Sequence, residues 1–167
     1  MANITLQKAH KGDEKILAYI QTESWKAAFS GILPPEELAR YTELQRAEEM
    51  YKRVLEKGQV QMLIEFVDGS PHGIAAWGQN REDSNPDCAE LICIHSLQDK
   101  WRRGYGSVMM QQLLAEMQRA GYAEVVLWVF KANTRARNFY EKHGFILTDR
   151  KKHDFGPTEV MYQKILG

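Results

Sequence analysis

The stretch Trp101-Arg102-Arg103-Gly104-Tyr105-Gly106-Ser107 constrains this chain most. Two glycines bracketing one residue stand directly before an apolar-periodic helix (Val108, Met109, Leu113, Leu114, Met117). The first N–H groups of a helix have no intrahelical acceptor, and the aligned peptide dipoles make that end electropositive. Glycine lets the backbone come close to an anion, so a strand, a glycine loop and a helix in succession suit a pyrophosphate. The bland alternative is a sharp turn with no ligand, and the segments on either side decide between the two.

At 167 residues and 19.3 kDa the chain is expected to form a single domain over residues 1–167. A net charge of +0 and a pI of about 7.0 give no global field for nucleic acid or an anionic membrane. Basic residues cluster only at Lys100 to Arg103, Arg135 to Arg137 and Arg150 to Lys152, the last being most simply a solvated turn. Cys88 and Cys93 are too few for a disulfide scaffold, and strand alternation puts them on opposite faces. No apolar stretch is long enough to span a bilayer and the first residues lack a signal-peptide pattern, so the cytoplasm is the expected address.

Ile4 to Gln7 reads as a first strand, and Asp13 as the cap of a helix that Pro34-Pro35 stops. A second helix is expected from Pro35, with Glu36 and Glu37 at its positive end and Gly58 beyond its finish. Val60 to Val67 and Gly73 to Gly78 form a hairpin signalled by Asp68-Gly69, and Asn80 to Asp87 an exposed loop. Ala89 to Ser96 is a strand, the glycine-loop helix runs to about Ala120, and Val125 to Phe130 is a buried central strand. A short helix from Thr134 to His143 and a strand from Glu159 to Ile165 complete an α/β (α+β) domain. Its sheet is mixed and mostly antiparallel, with one parallel crossover.

Three segments carry a family resemblance. They are Glu90 to Ser96 (ELICIHS), Arg102-Arg103-Gly104-Tyr105-Gly106, and Asn133-Thr134-Arg135-Ala136-Arg137-Asn138-Phe139-Tyr140-Glu141-Lys142-His143-Gly144-Phe145. Together they resemble the fourth strand, the Q/R-x-x-G-x-G/A loop and the Asn-x-x-Ala-x-x-Phe-Tyr-x-x-x-Gly-Phe block of the GNAT superfamily of acyl-CoA-dependent N-acetyltransferases. Ser24 to Pro34 is similar to the helix–loop start of many bacterial members. One departure is plain: Trp101 occupies the loop position that is usually Gln or Arg.

The resemblance implies a fold with helices on both sheet faces and a splayed central strand pair. Acetyl-CoA would lie there as co-substrate, with no metal. Its pantetheine would pair with backbone near Ile94, His95 and Ser96, and its pyrophosphate would meet Gly104, Tyr105, Gly106 and Ser107 beside Arg102 and Arg103. Asn133 would bond to the pantetheine or cap its own helix. Tyr140 would be the general acid that assists departure of the CoA thiolate.

A primary amine is cationic at neutral pH, so the reaction also needs a proton acceptor. Glu90 is similar to a glutamate that some members use on this strand, and a partly dry strand edge would raise its pKa for that work. His95 and water are the rivals. In a regular strand His95 points away from Glu90, although a bulge could re-aim it. Trp25, Phe29 and Tyr41 either roof the acceptor pocket or pack in the core. Glu23, Glu36, Glu37 and Asp83 either attract a cationic acceptor or are merely solvated. The acceptor would be a small-molecule or peptide amine, and the family's habit implies a homodimer. The alternative function is a non-catalytic acetyl-CoA-binding sensor or interaction module.

Overall fold

The computed structural model describes residues 1–82 and 84–167. The elements run β1 (Ile4–Lys8), α1 (Glu14–Phe29), α2 (Pro35–Tyr41), α3 (Leu44–Lys57), β2 (Gln61–Val67), β3 (Ser70–Gln79) and β4 (Cys88–Ser96). After a 3-10 turn (Gln98–Lys100) come α4 (Tyr105–Arg119), β5 (Glu124–Phe130), α5 (Thr134–Lys142), β6 (Ile146–Lys152) and β7 (Glu159–Ile165). Seven strands hydrogen-bond in the order β1-β2-β3-β4-β5-β7-β6. β4 and β5 pair in parallel, whereas β1–β2, β5–β7 and β6–β7 pair antiparallel. This is the mixed, mostly antiparallel sheet read from the sequence.

The chain divides into two compact units, Met1–Ala76 with Cys93–Met109, and Trp77–Ile92 with Met110–Gly167. In the first unit α1 buries Leu17, Ala18, Ile20 and Phe29, and β2 and β3 bury Met62, Leu63, Ile64, Ile74 and Ala75. In the second, Val125 to Leu127 of β5 are buried, and Cys88, Val126 and Met161 pack together with Trp128 alongside. Cys88 and Cys93 are both free thiols. Among the described residues no helix is long and apolar enough to cross a membrane.

Three sequence expectations are corrected. The single helix expected from Pro35 is two helices. Thr42 closes α2 with its N–H on the Leu38 carbonyl, and Glu43 is extended (φ −69°, ψ 118°), which ends α2 before α3 begins. The hairpin loop is shorter than expected, because Asp68 (φ 51°) and Gly69 (φ 82°) alone make the turn, and β3 starts at Ser70. Arg150 to Lys152 is not a solvated turn but the end of β6. Lys152 Nζ lies 4.5 Å and the Arg150 guanidinium 5.7 Å from the Trp128 ring centroid, and Lys152 bonds Glu82 at 3.1 Å. As an edge strand of mostly exposed residues, β6 carries no apolar alternation that would announce it.

Two features of β4 set up the site. Its ladder with β5 covers only Cys88–Glu90 against Glu124–Val126, so the rest of the strand runs on past its last partner pair. Against β3, the Asn80 N–H bonds the Cys88 carbonyl and the Leu97 N–H bonds the His72 carbonyl. These bonds tie the start of β4 and the residue after its end to β3.

Candidate active site

Burial along β4 changes where that ladder stops. Cys88 to Leu91 are buried, and Ile92 to Ser96 are only half-buried. A strand between two others in a seven-stranded sheet is ordinarily covered on both faces. Ile92 and Ile94 thus keep apolar surface exposed beyond the last pair of the β5 ladder.

The chain then leads into the glycine loop. Trp101 turns back toward the strand, its indole N–H donating to the Ser96 carbonyl at 3.1 Å. That contact explains the departure at this position, since the side chain braces the strand end and does not project as a cation. Arg102 and Arg103 are exposed. Arg102 has φ 65° and Gly104 φ 84°, two left-handed positions in three residues. For a non-glycine residue such a conformation costs about 1–2 kcal/mol, and strain of this kind gathers at functional loops. Helix α4 follows at once, and its first amide to meet a helical acceptor is that of Val108, on the Gly104 carbonyl at 3.3 Å. The amides of Tyr105 and Gly106 thus come before the helical ladder, where an anion would use them.

His95 is half-buried, and its Nε2 accepts from the Trp25 indole N–H at 3.2 Å. A neutral His95 therefore carries its proton on Nδ1. Trp25 in turn stacks edge-on against Phe29 with centroids 4.9 Å apart and lies 6.0 Å from Tyr41. Trp25 and Tyr41 are half-buried while Phe29 is buried, so these aromatics form a wall rather than a closed core. Beside α1, Tyr19 and Glu23 line an open groove of about 580 Å³ whose far side is Leu97 to Asp99. Glu23 also faces Lys26 at 3.9 Å. Glu36 is exposed and Glu37 half-buried, and Asp83 lies outside the described residues.

In the second unit Glu90 differs from its sequence expectation. It is 2% exposed and is gripped by Arg81, whose Nε donates to Oε1 at 3.0 Å, Nη2 to Oε2 at 2.8 Å and backbone N–H to Oε1 at 3.1 Å. Burial by itself would push the carboxyl up, but these hydrogen bonds and the guanidinium charge outweigh it and hold the group below the usual carboxylate range. The expected raised pKa is thereby reversed. Arg81 was not singled out from the sequence. A basic residue nine positions before a strand carboxylate in a polar loop is too common a pattern to signal a pair.

Asn133 is the N-cap of α5, its Oδ1 accepting from the Ala136 amide at 3.2 Å. Tyr140 is 8% exposed on the same helix, with ring centroids of Phe139, Phe145 and Tyr162 at 5.7, 5.9 and 6.3 Å. α5 is tied to β7 through Arg137, whose Nε donates to the Tyr162 hydroxyl at 3.0 Å. That hydroxyl in turn donates to Glu141 at 2.5 Å. The Asn133-to-Tyr140 spacing is thus set by a capped, pinned helix. Among the described residues no group of His, Cys, Asp and Glu could hold a metal ion.

Residues 19–145 match the model of the acetyltransferase (GNAT) family. The chain belongs to that family. Family membership makes it an acyl-CoA-dependent N-acyltransferase. It is 27% identical over 150 residues, 89% of this chain and 83% of the relative, to a probable N-acetyltransferase of Mycobacterium tuberculosis. It is 25% identical over 132 residues, 78% of this chain and 73% of the relative, to an uncharacterized N-acetyltransferase of Bacillus subtilis. Its fold is that of the PaiA N-acetyltransferase from Thermoplasma acidophilum, solved in complex with coenzyme A. The TM-score is 0.83 at 20% identity, covering 98% of this chain and 99% of the other. The yncA acetyltransferase of Salmonella typhimurium, solved with its cofactor acetyl-CoA, aligns with a TM-score of 0.74 at 18% identity, covering 98% of this chain and 94% of the other.

Proposed function

We propose that this protein moves an acetyl group from acetyl-CoA to a primary amine by direct attack of the amine in a ternary complex. The observation that carries the reading is the half-buried strand end Ile94–Ser96 leading into a loop with left-handed Arg102 and Gly104 at the start of α4. The CoA and acetyl-CoA complexes of fold neighbours support the choice of co-substrate.

In this reading backbone groups of Ile94, His95 and Ser96 pair with the pantetheine, and the amides of Gly104, Tyr105, Gly106 and Ser107 receive the pyrophosphate. Arg102 and Arg103 supply the cations that Trp101 does not. Asn133 fixes the start of α5, and Tyr140 gives its phenolic proton to the departing thiolate. A strand N–H near Glu90 polarises the thioester carbonyl.

Glu90 and His95, the two proton acceptors expected from the sequence, both have acceptor atoms engaged, by Arg81 and by Trp25. The amine's proton therefore leaves to water, and the Arg81–Glu90 pair, neutral as a whole, holds the strand in place.

Thiol release from acetyl-CoA, followed over a panel of a polyamine, an aminoglycoside, an amino-acid amide and a lysine peptide, tests this proposal. The expected outcome is amine-dependent release with intersecting double-reciprocal lines. Parallel lines would replace direct attack by an acyl-enzyme. Binding of acetyl-CoA without release on any amine would favour the non-catalytic sensor.

A further inference from the structure

Glu65, on β2, has no exposed surface, and neither of its carboxyl oxygens meets a hydrogen-bond donor among the described residues. A buried carboxyl in that condition is costly unless it is neutral or finds a partner. Gly73 of β3 makes room for it. A Cβ at Gly73 would stand 3.3 Å from Glu65 Oε1, 3.2 Å from the His95 carbonyl oxygen and 3.2 Å from Met109 Cε. The Glu65 carboxyl and the His95 carbonyl therefore border one point. Of these three neighbours only the carboxyl can bring a polar hydrogen, by carrying one itself.

Burial pushes the Glu65 carboxyl up to about 7, so the protonated form is well populated at neutral pH. Gly73, Met109 and Leu6 (the register partner of Glu65 on β1) bring no charge. The strands beside it carry Lys8 on β1, His72 on β3, and Glu90, Cys93 and His95 on β4. His72 of β3 packs edge-on against Tyr105 of α4 at 5.5 Å, and burial followed by the Lys100 charge pushes it down, toward neutrality. The His95 ring of β4 is occupied by Trp25.

We propose that Glu65 carries a proton and donates it to the His95 carbonyl oxygen, positioning the strand end Ile94–Ser96. That strand end runs on past its last pair with β5, and a donor from β2 steadies the carbonyl within it. Glu65 is a positioning residue that acts through His95. Its link to cofactor binding rests on the function proposed above, whereas the contact itself does not.

The test is hydrogen exchange of the Ile94–Ser96 amides in the free protein at pH 6.5 and 8.5, corrected for intrinsic rates, on wild type, Glu65→Gln and Glu65→Met. Wild type should lose protection at the higher pH by up to about fourfold, since for a carboxyl raised from 4.5 to about 7 most of the loss falls below pH 7 and none is added well above it. Glu65→Gln keeps an N–H donor and should hold protection at both pH values, while Glu65→Met should be poorly protected at both. Should the Met variant fail to fold, the Gln comparison decides alone. Equal wild-type protection at the two pH values, or a Gln variant that loses it as wild type does, overturns the contact. Acetyl-CoA calorimetry at the same pH values separates the two readings. Affinity that falls with protection supports positioning, and affinity unchanged while protection falls overturns it. No binding at either pH, with the exchange pattern intact, removes the cofactor reading and leaves the Glu65 contact standing.

Discussion

Glu65→Gln should raise the melting temperature at pH 8.5 by roughly 6–12 °C and leave it nearly unchanged at pH 4.5. The Glu65 carboxyl moves from an ordinary value of 4.5 to about 7 on folding. For a group raised in this way, the stability contributed by the protonated form is fully present below pH 4.5 and is lost as pH rises through 7. A gap of about 2.5 pH units corresponds to about 3 kcal/mol of destabilisation once the group is ionised. Each kcal/mol shifts a domain of this size by about 2–4 °C. Glutamine has nearly the same shape and cannot ionise, so it removes the alkaline loss without opening a cavity. A melting-temperature difference of the same size at both pH values would show that shape, and not charge, explains it.

Tyr140→Phe should lower kcat by about 10²–10³-fold, the range expected for loss of a general acid, while the acetyl-CoA Kd changes by less than about threefold. A thiol of pKa about 8.5 leaves more easily when a donor protonates it. The substitution deletes only a hydroxyl. The ring contacts with Phe139, Phe145 and Tyr162 survive, as does the α5 cap at Asn133. Loss of the hydroxyl itself should cost no more than about 1 kcal/mol of stability. Steady-state kinetics beside calorimetry on the same preparation reads both quantities. An unchanged kcat would remove Tyr140 from the mechanism.

The parts of the fold legible in the sequence are those with strong local chemistry. Asp68-Gly69 placed a turn, Gly104 and Gly106 placed the loop before α4, and the run at Val125 to Phe130 placed a buried strand. β6 was illegible because Ile146, Leu147 and the basic residues after them lie on an edge, mostly exposed, with no alternating face. The break after Thr42 was illegible because the extended Glu43 interrupts a continuous helical pattern with no glycine or proline to signal it.

For the site, residue types could be read but their partners could not. Glu90 looked like an available carboxylate until Arg81 closed on it from a loop. His95 looked like a lone imidazole until Trp25 met it from α1. Glu65 carried one faint signal, a glutamate inside the otherwise apolar Met62 to Val67, at the same strand parity as Leu63 and Val67. Only the approach of Gly73 and the His95 carbonyl gives that glutamate a task.

In the proposed function Ile94–Ser96, the loop at Arg102 to Gly104 and the first turn of α4 to Ser107 hold acetyl-CoA. Calorimetric titration of the wild-type protein with acetyl-CoA, with ATP as control, tests it most directly. The account predicts saturable binding in the micromolar range at one site per chain, unaffected by ATP. Heats no larger than those of ATP would contradict it, leaving a member of the acetyltransferase family whose strand end and loop serve another ligand.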